Sequence, residues 1–338
     1  MRAAVTPVYG PAHVLQLREV AKPILGERDV LVEIYATPVT AGDLRLRAAD
    51  FPPITAWAGR LVLGVRRPRR AVQGTMFAGR VVELGRAVTR YAVGDDVFGS
   101  TLHGTYAEYL SMPEDGTMAK MPANVGHAEA AAIPYGAVTA LRFLRDVAAV
   151  APGEQVLIVG AAGGVGRFAV QLAKHLGAHV TAVASRRSEA LVRSLGADHV
   201  IDHETEDFAK SKRRYDVIFD TAGVTTFRRC RSSLTGNGRY LTLFVSAGVL
   251  LQMAITSIFG GRKVKFTVVV GKRDDLEQVR DLVAREIIRP VIARQYPLAR
   301  IAEAHTDADT GRPLGSVIVT VKAGTAALSS RAVLQARA

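Results

Sequence analysis

A chain of 338 residues exceeds the size of most single cores, so two domains are expected. With 49% hydrophobic and 22% charged residues, the composition is that of a folded globular protein and excludes a wholly disordered chain. The lone cysteine, Cys230, excludes an internal disulfide framework and any cysteine-rich zinc site.

The formal net charge of +13 is compatible with an anionic cofactor, an anionic surface or nucleic acid. The positive charges are mostly arginines spread along the chain. Their densest run, Arg66-Arg67-Pro68-Arg69-Arg70, reads as a solvated loop, with a phosphate or a peripheral membrane contact as the weaker alternative. No aromatic residues interleave with it, so it offers no stacking platform and nucleic acid is not expected as a partner. The start, Met1-Arg2-Ala3-Ala4-Val5, lacks a long apolar core of the signal-peptide kind, and a cytoplasmic location is the expectation.

In chain order, residues 1–121 read as short strands joined by turns. Residues 30–34 alternate apolar and polar, residues 77–85 do so less cleanly, and Gly94-Asp95-Asp96 marks a turn. Many short strands with glycine-rich turns suggest a small barrel or sandwich. Residues 127–150 are alanine-rich and predict one or two helices. Apolar strands then alternate with helices: strands at 156–159, 180–183, 199–201 and 217–219, and helices at 166–176 and 188–195. That alternation predicts a parallel sheet covered on both faces. A strand at 268–270, a helix near 276–285 and a last strand at 316–321 follow. Residues 323–338 are small and polar and read as a disordered tail. The expected organisation is a domain over 1–121 rejoined by 268–322, and a second domain over 122–267.

Residues 241–260 contain no charged side chain, and a run of about 20 apolar residues spans a bilayer. Thr242, Ser246, Gly248, Gln252, Thr256 and Ser257 interrupt the run. Its front reads better as a buried strand over 240–245 leading into a helix, which would line a cleft, form a subunit contact or cover an active site.

The strongest motif is Val156-Leu157-Ile158-Val159-Gly160-Ala161-Ala162-Gly163-Gly164-Val165-Gly166: a buried strand, a glycine-rich turn and a helix start. In that context Gly163 admits a pyrophosphate close to the backbone, and Gly166 lets the helix pack on the strand. The helix N-terminus offers N–H groups to the phosphates. Ala161 stands where the fingerprint has its first glycine. The next strand selects the dinucleotide. NAD sites place an acid about 20 residues on, against the ribose hydroxyl. Here Ser185-Arg186-Arg187 follows the strand, and guanidinium groups suit a 2′-phosphate, so NADPH is the expected cofactor.

On these motifs the chain resembles the medium-chain dehydrogenases/reductases, in their zinc-free, zeta-crystallin-like quinone oxidoreductase branch. The resemblance runs from residue 1 to about 322. It is carried by residues 74–85 and 93–99, by Gly104-Thr105-Tyr106-Ala107-Glu108-Tyr109, by Pro152-Gly153-Glu154-Gln155, by residues 195–202 and by Tyr215-Asp216-Val217-Ile218-Phe219-Asp220. It implies a GroES-like β-barrel catalytic domain plus a Rossmann domain with a doubly wound parallel sheet. The implied activity is hydride transfer from NADPH to a small electron-poor acceptor, a quinone or an α,β-unsaturated carbonyl. A homodimer is the expected assembly.

Residue by residue, Thr40 takes the place of a zinc-ligand cysteine, and Thr75-Met76 replaces the His-Glu pair of zinc alcohol dehydrogenases; no metal is expected. Zinc-free relatives often carry an acid at Met76, which this chain lacks. Thr40 and Thr139 match positions near the nicotinamide and are the candidate catalytic residues. Phe244-Val245 and Val269-Val270 match strand ends whose backbone faces the nicotinamide amide. Together with Ala161, Ala162, Gly163, Gly164, Val165, Gly166, Ser185, Arg186 and Arg187, they form the expected cofactor site. Ser316 replaces a lysine often found after Gly315. Asp43 reads as a turn residue, and no catalytic acid is identified. Two alternatives stand beside this reading: an NADP-dependent alcohol dehydrogenase or carbonyl reductase, and a non-catalytic NADPH-binding protein.

Overall fold

The computed structural model describes residues 1–50 and 56–322; the tail expected over 323–338 lies outside the described residues. By its internal contacts the chain divides into two compact units. One comprises Met1–Tyr135, Gly271–Glu286 and the residues from Pro290 on, and the other Gly136–Val270 with Ile287–Arg289.

The first unit opens with an antiparallel ribbon of β1 (Arg2–Val5) and β2 (Gln16–Glu19). Then come β3 (Asp29–Val39), α1 (Ala41–Ala48), α2 (Ala56–Leu63), β4 (Met76–Leu84), β5 (Asp96–Ser100), β6 (Tyr109–Pro113), β7 (Met118–Lys120) and α3 (His127–Ala131). The strand read over residues 30–34 is the start of the eleven-residue β3. β3 pairs antiparallel with β4 and β6, and its sides are covered, so the alternation gives way to near-continuous burial. Val30, Val32, Ile34, Phe77, Val81, Val97 and Met118 form the barrel core. The arginine run 66–70 is a loop with all four guanidinium-bearing residues exposed.

The unit boundary falls at Tyr135, later than the break read at residue 121, because α3 packs onto the barrel. The His127 ring lies 4.4 Å from that of Tyr35, and its Nε2 is 3.1 Å from Asp96.

The second unit starts in α4 (Pro134–Leu141) and continues with β8 (Gln155–Val159), α5 (Gly166–His175), β9 (His179–Ala184), α6 (Glu189–Ser194), β10 (His199–Asp202), β11 (Tyr215–Asp220), α7 (Phe227–Cys230), β12 (Leu234–Thr242), α8 (Ala247–Ile258) and β13 (Lys263–Lys265). Its six strands are all parallel, in the order β10-β9-β8-β11-β12-β13. This is the doubly wound Rossmann order, with the reversal beside β8. Leu157, Val159, Val183, Ile218, Tyr240 and Val264 lie in one buried cluster, as a sheet covered by helices requires.

Two strand expectations are corrected. The strand read over 240–245 is Leu234–Thr242, so Phe244 and Val245 lie beyond its end. Residues 268–270 are not a strand: the last ladder of this sheet ends at Lys265, and Val268 and Val270 are 72% and 70% exposed. The uncharged run 241–260 resolves into the end of β12 and the twelve-residue α8. Among the described residues no helix is long and apolar enough to cross a membrane.

The first unit resumes with α9 (Arg273–Ala284), β14 (Ile292–Pro297), α10 (Ile301–Asp309) and β15 (Ser316–Thr320). β15 pairs antiparallel with β3 and parallel with β14, which returns the chain end to the barrel. α10 closes a second core with Tyr106, Leu298, Ile301, Ala304 and Val317.

Candidate active site

In the second unit, the loops after β8, β9, β11 and β12 leave the C-terminal edge of one parallel sheet, where open α/β folds bind their ligands. Gly160 ends β8 with φ +77, a left-handed conformation that favours glycine. Its N–H and that of Ala161 donate to Val183 O of β9, at 3.2 and 3.1 Å. Thr221, after β11, donates its hydroxyl to Val159 O at 2.8 Å. The turn is thereby fixed to both neighbouring strands.

Gly166 starts α5 hard against this turn: a Cβ there would lie 2.1 Å from Gly160 O. Ala161 is fully buried, and its methyl group is accommodated in place of the fingerprint glycine. Gly163 and Gly164 are exposed, and α5 begins without a side-chain cap at Val165. An exposed glycine backbone beside uncapped helical N–H groups is a fit for an anionic pyrophosphate. Ala162, half-buried, accepts from the Arg167 guanidinium through its carbonyl at 2.8 Å. Arg167 is itself buried in the first turn of α5, and burial pulls its pKa down to about 10.

Ser185, Arg186 and Arg187 follow β9 directly, beside the β8 turn. Ser185 Oγ meets Ser188 Oγ at 3.0 Å, which shapes the loop, and both arginines are exposed. Phe244 follows β12, with its N–H on Thr242 Oγ1 at 3.1 Å and its ring over Gly223 of the β11 loop, where a Cβ would lie 2.7 Å away. Val245 is half-buried beside it. The structure thus brings residues 161–166, 185–187 and 244–245 to one sheet edge. Val269 and Val270 follow β13 in a stretch that forms no strand. Thr139 is buried on α4 of this unit.

Thr40 belongs to the first unit, where it caps α1. Thr40 Oγ1 accepts from Asp43 N at 3.3 Å, while Thr40 N–H and Thr40 Oγ1–H donate to Asp43 Oδ2 at 2.8 and 2.6 Å. This is a capping box. Thr75 donates to the other carboxylate oxygen, Oδ1, at 3.0 Å. Asp43 is therefore no turn residue. It is fully buried, joining the positions matched to a cysteine and a histidine ligand, and burial raises its pKa against the lowering effect of its donors. Met76 is 8% exposed in β4 and fills the core.

Behind Asp43 runs a chain of buried side chains. Tyr106, whose hydroxyl donates to Pro38 O at 3.5 Å, lies beside Asp43, and His305 Nε2 lies 3.1 Å from Tyr106 Oη. His305 Nδ1 is 3.0 Å from Arg47 Nη1, and Arg47 Nη2 reaches Asp309 Oδ2 at 2.8 Å. Burial pushes His305 down to about 3, with Arg47 adding to the shift. Asp43, Tyr106, Arg47 and His305 escaped the sequence reading. A local signal existed only for Asp43: Thr40-x-x-Asp43 directly after an apolar strand is a capping-box pattern. Among the described residues no group of three His, Cys, Asp or Glu side chains is placed to hold a metal.

Residues 26–123 match the alcohol dehydrogenase GroES-like domain, and residues 195–319 match the zinc-binding dehydrogenase family. A chloroplast envelope quinone oxidoreductase homolog of Arabidopsis thaliana is 30% identical over 91% of this chain and 98% of its own length. The chloroplastic NADPH-dependent alkenal/one oxidoreductase of the same plant is 29% identical over 94% of this chain and 79% of its own. The solved quinone oxidoreductase of Coxiella burnetii superposes with a TM-score of 0.84, at 27% identity over 95% of this chain and 99% of that one. The family and its NAD(P)H oxidoreductase members give the protein a nicotinamide cofactor. With a GroES-like barrel, a Rossmann sheet in the order 3-2-1-4-5-6 and these full-length relatives, the chain belongs to the medium-chain dehydrogenases/reductases, as an oxidoreductase of the quinone oxidoreductase-like branch.

Proposed function

We propose that this protein reduces a quinone or an α,β-unsaturated carbonyl with NADPH, without zinc. The observation that carries the reading is the cluster of Thr40, Thr75 and Asp43. Hydroxyl groups surround one buried carboxylate at the positions that the resemblance to zinc alcohol dehydrogenases matches to ligands. That set lacks the three nitrogen, sulfur or carboxylate ligands of a catalytic zinc site. Without a Lewis acid, a saturated carbonyl builds localised alkoxide charge that no metal offsets, whereas a conjugated acceptor spreads its charge. The names of the quinone and alkenal/one oxidoreductases support the same acceptor class.

For the cofactor, Ser185, Arg186 and Arg187 would hold a 2′-phosphate, and residues 161–166 the pyrophosphate. Thr40, Thr139 and the backbone at Phe244-Val245 and Val269-Val270 are proposed to face the nicotinamide. Bound there, the reduced dinucleotide supplies the hydride. A homodimer is part of the proposal. β13 is paired on one side only, and α8 exposes Leu251, Ile255, Ile258 and Phe259 on one uncharged face, a surface that a second copy would cover.

The test is NADPH oxidation with a quinone and an enone, with and without a chelator. Turnover should be the same in both, and elemental analysis should find zinc far below stoichiometric. Turnover abolished by chelation and restored by zinc would overturn the reading in favour of an alcohol dehydrogenase. NADPH binding without any turnover would favour a binding protein.

A further inference from the structure

We propose that Thr40 and Asp43 form a proton-donating pair, in which Thr40 gives its hydroxyl proton to the acceptor oxygen while Asp43 Oδ2 replaces it. The inference rests on the proposed reductase reading. It adds the proton source that hydride transfer to an enone or quinone requires.

The geometry supports it at each atom. The 2.6 Å contact between Thr40 Oγ1 and Asp43 Oδ2 is at the short end for a hydroxyl–carboxyl hydrogen bond, the distance over which a proton passes directly. When Asp43 carries a proton on Oδ2, that proton points at Thr40 Oγ1, and the hydroxyl hydrogen of Thr40 turns outward. Thr40 and Thr75 are half-buried while Asp43 is fully buried, so Thr40 is the outlet of the pair. During turnover the Thr40 O–H bond breaks as the acceptor O–H bond forms. The Asp43 O–H bond then breaks as Thr40 regains its proton. Asp43 is left as a carboxylate and is reprotonated from water through Thr40 after product leaves. The two electrons and the hydride come from the cofactor, so no further reductant is needed.

The buried chain behind the pair has a fixed direction. A guanidinium only donates, so His305 Nδ1 facing Arg47 must accept, and the ring hydrogen must sit on Nε2. His305 Nε2–H then donates to Tyr106, whose own hydroxyl donates to Pro38 O at 3.5 Å beside Asp43. Arg47, His305 and Tyr106 are therefore positioning residues that fix the polar surroundings of Asp43. The groups around Asp43 are Arg45 and Arg47 of α1, Thr75, Tyr106, Tyr135 of α4 and, behind Tyr106, His305 of α10. Desolvation outweighs the donors and raises Asp43, which favours a proton-loaded carboxyl.

The experiment compares wild type with Asp43→Asn, Thr40→Val, Thr40→Ser and Tyr106→Phe in kcat, KM, solvent deuterium isotope effect and NADPH affinity, using an enone. Asp43→Asn and Thr40→Val should each lose ~100-fold in kcat, the scale of general-acid catalysis. KM and NADPH affinity should move less than ~3-fold, and Thr40→Ser should keep most of the rate. Wild-type kcat should fall as pH rises through the Asp43 titration. Asp43→Asn should abolish that limb, and Tyr106→Phe, which removes a polar hydroxyl beside the carboxylate, should move it to higher pH. Infrared titration of the resting protein gives a readout independent of turnover. A protonated-carboxyl band should persist above the ordinary aspartate range and be missing in Asp43→Asn. Wild-type rates and an unchanged pH profile in Asp43→Asn, or in Thr40→Val if the former does not fold, would overturn the pair while leaving the reductase reading intact. A wild-type protein with no enone or quinone turnover would overturn both.

Discussion

The nucleotide cradle and the Asp43 cluster are built by opposite means. The cradle is backbone: one turn of residues 160–166, fixed by N–H donors to Val183 O and by the exclusion of any Cβ at Gly166. The cluster is side chain: Thr40, Asp43, Arg47, Thr75, Tyr106, His305 and Asp309 come from four separate segments and meet in one network around the buried Asp43. A backbone site tolerates changes of most neighbouring side chains and fails when a glycine is changed. A side-chain network fails piecewise, and each loss is readable as a change in protonation. In the proposed function the cradle governs whether cofactor binds, and the cluster governs what is done with it.

Gly166→Ala should show the largest effect, because the added carbon meets backbone and no side chain can give way. A loss of ~3 kcal/mol or more in unfolding free energy is expected, at the upper end for overpacking, together with loss of NADPH binding. Denaturant unfolding and a cofactor titration measure both. A stable variant that still binds NADPH would mean the turn is looser than the close approach of α5 implies.

The network should announce itself in the pH dependence of stability. His305 is held neutral in the folded state down to about 3, against about 6.5 when unfolded. The unfolded chain therefore binds the extra proton first as pH falls. The stability that the neutral ring contributes is complete above ~6.5 and is lost as pH falls from there towards 3, by up to ~1.4 kcal/mol per pH unit. Urea midpoints from pH 7 to 4.5 should show this slope in wild type, and His305→Gln should flatten it. Equal slopes would place the acid lability elsewhere.

A smaller effect sharpens the role of the cradle's rim. Arg187→Asp should cost ~1.5–3 kcal/mol of NADPH affinity, the scale of a charge-assisted hydrogen bond, with little change for NADH. Fluorescence titration of both cofactors decides it, and an unchanged ratio would remove the arginines from the phosphate site.

The same contrast explains how much could be read beforehand. The cradle's residues are contiguous, and glycine spacing after a buried strand has a direct steric meaning, so the strand–turn–helix unit and the parallel sheet around it were legible. The strand at 268–270 was misread because three valines have strand propensity whether or not a partner strand is available, and Val268 and Val270 face solvent. β14 and α10 carried no clear pattern, so His305 had no visible neighbours. It lies 199 residues from Tyr106, a pairing made only when α10 closes on the barrel. Asp43 reads as a turn residue in the sequence because its capping box is local, while the burial that gives it chemistry is tertiary.

The central claim, a metal-free reduction of conjugated acceptors, is tested most directly by steady-state kcat/KM with NADPH on a matched pair: an enone and its saturated ketone. The account predicts a preference for the enone of at least ~100-fold, about 2.7 kcal/mol of barrier. A higher value for the saturated ketone, or efficient alcohol oxidation with NADP⁺, would contradict it and make the protein an alcohol dehydrogenase.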